Sequence, residues 1–185
     1  TSVEVSTDNG VTWAARTPAS VASPVVVGGL TNGVTYQVKL RAVNAAGPGA
    51  PSAAVAVTPR TVPGAPTGVA GVAGVGKVAI SWLAPASDGG AGVTGYTVTS
   101  TPGGKTCTTA GALTCEVTGL TNGTGYTFAV TATNPVGTSQ SSAPSPVVTP
   151  RTVPGAPSGL VATGGDRSAS VVFALPVVTG GAAVT

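Results

Sequence analysis

Enzyme chemistry needs nucleophiles beside bases, paired carboxylates or converging metal ligands, and this sequence offers few residues of those types. It contains no histidine, which removes Ser-His-Asp and Cys-His arrangements from the chain itself. Its five carboxylates, Glu4, Asp8, Asp88, Glu116 and Asp166, are scattered. A pairing across the fold stays open, but turns and strand exteriors are their commoner home. Cys107 and Cys115 are too far apart for a CxxC motif, and no His or further Cys completes a zinc site. These residues favour a structural disulfide, which implies an oxidising, extracytoplasmic compartment. The loop Asp88-Gly89-Gly90-Ala91-Gly92 lacks the Lys-Ser/Thr of a phosphate loop and the alternating acids of a calcium loop, so it reads as a connection. Asp8-Asn9-Gly10 reads as a hairpin turn needing positive φ. Asn122-Gly123-Thr124 fits a glycosylation sequon, whereas the matching Asn32-Gly33-Val34 does not. No catalytic residue, cofactor-binding residue, metal ligand or cofactor is expected.

The elements that would position any site are set by an internal repeat. Arg60-Thr61-Val62-Pro63-Gly64-Ala65-Pro66 returns at Arg151-Thr152-Val153-Pro154-Gly155-Ala156-Pro157, and Gly29-Leu30-Thr31-Asn32-Gly33 returns at Gly119-Leu120-Thr121-Asn122-Gly123. The first pair is offset by 91 residues and the second by 90. Self-similarity at a fixed period marks an array of supersecondary units. Thr1 and Thr185 both align with Thr94, so the chain is out of phase with its own repeat. The expected division is a partial unit over 1–60, a complete unit over 61–151 and a partial unit over 152–185.

Val, Ala and Thr dominate while aromatic residues make up only 4%, a composition suited to pleated, half-buried strands. Within 61–151, Val78, Ile80 and Trp82 alternate with Ala79 and Ser81. Tyr96 and Val98 begin another strand, and Leu113, Cys115 and Val117 share one face. Tyr126, Phe128, Val130 and Ala132 give the longest alternation, and Val147-Val148-Thr149 is expected as an edge strand after Pro144 and Pro146. About seven short strands with turn signals between them predict an antiparallel sandwich. Charged residues are only 7% of the chain and the net charge is +3. Lys39 and Arg41 are the only close cationic pair, which does not supply the clustered charge that nucleic acid demands. No run approaches the ~20 apolar residues of a membrane span.

These residues resemble the fibronectin type III domain of bacterial secreted proteins. The resemblance rests on Pro63-Gly64-Ala65-Pro66-Thr67-Gly68 opening strand A, Trp82 on strand B and Gly95-Tyr96 on strand C. It continues with Leu120-Thr121-Asn122-Gly123-Thr124-Gly125-Tyr126 entering strand F and Asn134-Pro135-Val136-Gly137 leaving it. It implies tandem seven-stranded immunoglobulin-like sandwiches, one complete and two partial, with a tyrosine corner at Tyr126. Cys107 and Cys115 would then join strand C' to strand E across the two sheets. Aligned on this pattern, Trp13 falls opposite Cys107 and Val25 opposite Cys115, predicting an apolar pair in place of the disulfide. Phe173 falls where Trp82 stands. No Arg-Gly-Asp tripeptide is present, so integrin binding is not implied.

Fold alone does not fix function in this family. Three readings remain. The first is a structural subunit or repeat window of an extracellular fibre or cell-surface array. The second is a set of rigid spacer modules in a larger secreted adhesin or carbohydrate-active enzyme. The third, a carbohydrate- or surface-binding module, is weakened because nearly every aromatic falls at a core position. The fibre reading is favoured. The N-terminal piece lacks strands A and B and the C-terminal piece lacks strands C to G, so head-to-tail neighbours would complete one sandwich. Such a contact, covalent or strand-exchanged, generates a filament. The expected partners are further copies of the chain or neighbouring repeats, with cell surface or carbohydrate beyond them and neither nucleic acid nor a membrane span. Thr185 would meet the start of the next copy.

Overall fold

Branched residues alternating with small polar ones build strands with one apolar face, and turns rich in Gly and Pro separate them. The computed structural model describes residues 1–184, among which there are strands and turns but no helix. Thr185, expected to contact a neighbouring copy, lies outside the described residues.

The best-covered core is in the middle of the chain. Strands β6 (Thr67–Ala73), β7 (Lys77–Leu83) and β10 (Thr114–Thr118) form one antiparallel sheet in the order β10-β7-β6. Strands β8 (Gly95–Thr101), β9 (Thr106–Thr109), β11 (Thr127–Asn134) and β12 (Gly137–Thr138) form the other, in the order β12-β11-β8-β9. Val78, Ile80 and Trp82 of β7 face Tyr96 and Val98 of β8 and Phe128, Val130 and Ala132 of β11. Every second residue of β7 and β11 is buried, the period-two pattern of a sandwich with one wet face per sheet. The Trp82 and Tyr96 rings stack tilted, with centroids 5.5 Å apart.

The flanking segments reproduce halves of this sandwich. Strands β1 (Ser2–Ser6), β2 (Ala14–Ala15), β3 (Tyr36–Asn44) and β4 (Gly47–Pro48) form a sheet in the order β2-β1-β3-β4, with β5 (Val55–Val57) also paired to β3. Val5 pairs with Leu40 there as Val98 pairs with Val130 in the middle sandwich. At the other end β13 (Ser158–Gly165) and β14 (Ser168–Ala174) make a hairpin equivalent to β6 and β7. No opposing sheet covers either half among the described residues. Phe173, equivalent to the buried Trp82, is 52% exposed, and Leu40 is 38% exposed where Val130 is fully buried.

One expected strand is absent. Val147-Val148-Thr149 does not form a regular edge strand, and only Val148 makes an isolated bridge, to Tyr126. The hydrogen bonds along 139–148 explain this. Ser139, Ser142, Ser145 and Val148 donate their N–H groups to the carbonyls of Ala132, Val130, Phe128 and Tyr126 in turn. The segment therefore advances three residues for every two of β11, which no regular ladder permits.

Trp82 carries a polar atom that the core does not pair: its indole N–H is buried without a hydrogen-bond partner. Phe at this position, as found at Phe173 in the C-terminal hairpin, would lose volume but also remove that orphan donor. An unsatisfied buried donor costs roughly 1–3 kcal/mol. We therefore predict that Trp82→Phe changes stability by no more than about 1 kcal/mol. Trp82→Ala should cost about 3–5 kcal/mol, both read by denaturant unfolding.

Candidate functional site

Several of the residues singled out for chemistry are engaged in local structural contacts. Cys107 on β9 and Cys115 on β10 form a disulfide that links the two sheets, with Cα atoms 6.2 Å apart. Closing this short loop stabilises by about 2.6 kcal/mol in the chain-entropy account. Asn9 and Gly10 both take positive φ, at 64° and 91°. The Asp8 carboxylate accepts hydrogen bonds from the Thr12 hydroxyl, the Ser6 hydroxyl and the Thr12 and Val11 amides. Those bonds, the Thr12 hydroxyl foremost, hold its carboxyl well below the usual range and leave its oxygens facing donors rather than a cation. Glu4 is paired with Arg41 at 2.6 Å, and Glu116 with Lys77 at 2.8 Å. Among the described residues no group of three His, Cys, Asp or Glu converges as a metal site.

The expected Trp13 and Val25 pair is corrected. Val5 pairs with Ala14 just as Val98 pairs with Cys107, so Ala14 is the register equivalent of Cys107. Trp13 is one residue out of step, and a one-residue slip moves a side chain to the other face of the sheet. There its ring lies over the Arg41 guanidinium at 4.3 Å and its indole N–H donates to Gly10. Val25 instead borders a cavity beside Val5 and Ala14.

What the fold does bring together lies between neighbouring units. The turn carrying Asn32 and Gly33 meets the loop carrying Gly89 and Gly90, backbone against backbone. A Cβ placed on Gly90 would stand 2.6 Å from the Gly33 Cα, and one on Gly33 would stand 3.0 Å from the Gly90 Cα. Both glycines hold left-handed φ, 82° and 79°. Only glycine satisfies both conditions at once. The linker is fastened on each side of this contact: the Gly33 N–H donates to Pro59, the Thr61 N–H to Gly89, and the Gly64 N–H to Ser87.

The same junction occurs a second time. A Cβ on Gly181 would stand 2.7 Å from the Gly123 Cα. The N–H groups of Gly123, Thr152 and Gly155 donate to Pro150, Gly180 and Val178. Each of these is the repeat equivalent of a bond in the first junction. Asn122, the sequon residue, accepts from the Gly76 N–H at 2.9 Å. It borders a cavity shared with Gly180 and Gly181, so a glycan there would intrude on the junction.

Two features of this site escaped sequence reading. Asn134, buried in the turn after β11, donates to Thr61 at 2.8 Å, Asp88 at 2.8 Å and Ala91 at 3.3 Å, and accepts from Val136 and Gly137. It thereby fixes the linker, the glycine loop and its own turn as one piece. The second is the Gly-Gly pair, repeated at 89–90 and 180–181, whose recurrence was the available signal. The tyrosine corners are present in two units. Thr121 and Thr31 donate their N–H groups to the hydroxyls of Tyr126 and Tyr36 at 3.1 and 2.9 Å. The bond from Thr121, first among several causes, lowers the Tyr126 pKa.

Residues 64–148 match the family described as Fibronectin type III domain, whose tandem repeats act as structural modules and are generally non-catalytic. No curated protein matches the chain. A solved multi-domain segment of titin is 24% identical over 80% of this chain and 53% of its own, with a TM-score of 0.52, a likeness of fold. The titin kinase with its flanking domains is 32% identical over 48% of this chain and 17% of its own, with a TM-score of 0.43. Chicken CNTN1 FN1-FN3 domains are 18% identical over 81% of this chain and 55% of their own, with a TM-score of 0.46. The chain thus spans about half or less of the length of these structures.

The junction makes a directed prediction. A branched side chain at Gly90 meets the Gly33 backbone, whereas Gly92 has open space around it. Gly90→Val should widen the distribution of inter-unit angles in small-angle scattering, and Gly92→Val should leave the profile unchanged.

Proposed function

We propose that this chain is a structural segment of a stiff extracellular fibre or cell-surface array, built head to tail from fibronectin type III units of about 90 residues divided near 60 and 151. The observation that carries this reading is the twofold occurrence of one junction, with the same backbone hydrogen bonds and the same glycine contact. A repeated fixed junction propagates a constant rotation and translation, which is how a rod arises from beads. Prolines 59, 63 and 66 further fix φ through the linker. The disulfide suits an oxidising, extracellular setting.

Assembly is the finer part of the proposal. The uncovered face of β14 presents Val171 and Phe173, with Leu175 just beyond. Its counterpart in the middle sandwich packs on strands equivalent to β1 and β3. Covering these side chains at about 1.5–3 kcal/mol each exceeds the cost of ordering them. The covering strands would come from the following repeat along the same polypeptide or from residues 1–60 of a second copy. The rigid-spacer reading for a larger secreted protein shares the junction and differs only in lacking this self-assembly.

Scattering from the chain should fit one extended length, and a broad range of inter-unit angles would contradict the rod. Sedimentation over a dilution series separates the two assemblies. Concentration-dependent end-to-end growth abolished by Phe173→Ser supports strand exchange between copies, while a monomer at every concentration rules out exchange and supports covalent continuity, which the fibre and spacer readings share.

A further inference from the structure

We propose that Ser139, Ser142 and Ser145 form a hydroxyl ladder that closes the outer edge of the middle sandwich against lateral pairing with another strand. In an ordinary antiparallel edge, one residue of the edge strand returns both an N–H and a C=O to its partner. Here the three serines donate their N–H groups to the carbonyls of Ala132, Val130 and Phe128. The N–H groups of those same residues are accepted not by carbonyls but by the serine hydroxyls, at 2.9, 2.9 and 3.1 Å. Each hydroxyl then donates its own proton to the carbonyl of the next residue, Gln140, Ala143 and Pro146, at 2.7 to 2.8 Å.

Two consequences follow for the outer edge. Three residues span two of β11, so the intervening residues are pushed outward; Gln140, Ser141, Ala143 and Pro144 are all exposed while the three serines are buried. A strand bulged in every step cannot hold register with a flat neighbour. The edge also offers fewer pairing groups, because Pro144 and Pro146 carry no N–H and the carbonyls of Gln140, Ala143 and Pro146 each already accept a serine hydroxyl. An array with only 7% charged residues has little electrostatic repulsion to keep neighbours apart, so closing the edge by backbone geometry answers that need.

The first unit supplies an internal contrast. Gly49, Ser52 and Val55 stand where Ser139, Ser142 and Ser145 stand. Ser52 makes the same rung, donating to Leu40 and accepting from the Leu40 N–H at 3.1 Å. From Val55 onward the chain reverts to the regular strand β5, paired residue for residue with β3. Ser145 to Pro150 is one residue longer than Val55 to Pro59. That extra residue is the last outward step of the ladder, and it accounts for repeat offsets of 90 before it and 91 after it.

The test grafts the open edge onto the middle sandwich. In the full chain carrying Phe173→Ser, chosen to suppress the end-to-end contact proposed above, residues 139–149 are replaced by 49–58 of the same chain. A second variant keeps the serines and restores donors with Pro144→Val and Pro146→Val. Sedimentation velocity should show the dimer fraction of the graft rising several-fold over the Phe173→Ser parent, with protection from hydrogen exchange appearing along the grafted edge. A proline at the grafted equivalent of Ala56 should return it to the parent level. If the graft does not fold, the second variant alone decides. If every folded variant associates no more than the parent, the ladder is only a local way of satisfying β11 and the proposal fails.

Discussion

Neighbouring units touch through their main chains, and that closeness constrains everything around it. Side chains at a domain boundary can yield by changing rotamer, but backbone cannot. Two glycines in left-handed conformation therefore confront each other at each junction, and the approach is admissible only because neither has a Cβ. The linker prolines, the bonds from the linker to both flanking loops, and the buried amide of Asn134 all hold that one contact in place. A boundary secured in this way needs no large apolar interface between units with so few aromatic residues.

The molecule solves most of its problems with backbone groups and small side chains rather than charge. Where a backbone N–H needs an acceptor outside the regular ladder, a serine hydroxyl supplies it along β11, a tyrosine hydroxyl at the two corners and Asn122 at the turn between β6 and β7. Each substitution of side chain for main chain frees the local backbone from the regular ladder, giving the bulged edge segment and the tight turns. Glu4 and Glu116 are ion-paired with Arg41 and Lys77, and Asp8 is surrounded by donors that stabilise its charge.

Differences between units are as informative as their similarity. The middle unit has a disulfide across its sheets, a complete serine ladder and Trp82 in its core. The first has Ala14 at the cysteine position, one serine rung, and Trp13 stacked on Arg41 on its outer face. Cores and edges thus vary while the junction glycines and their backbone hydrogen bonds recur, because the junction must match a neighbour and the core need match only itself.

The sequence by itself determined the repeat, the all-β class, the alternating faces of β7 and β11, and the tyrosine corner, because each depends on spacing along one stretch of chain. It also carried the 90 and 91 offsets, though not their meaning. Only the tertiary structure decided that Ala14 rather than Trp13 takes the cysteine register, since that follows from which residues pair across β1 and β2. The segment 139–148 reads locally as a strand interrupted by prolines. Its three-to-two step against β11 exists only when both strands are side by side. Gly33 and Gly90 each look like ordinary turn glycines, and the reason neither can carry a side chain is the other, 57 positions away in the chain. Local patterns report on one element's own geometry; a close approach is a property of two, and folding alone brings them together.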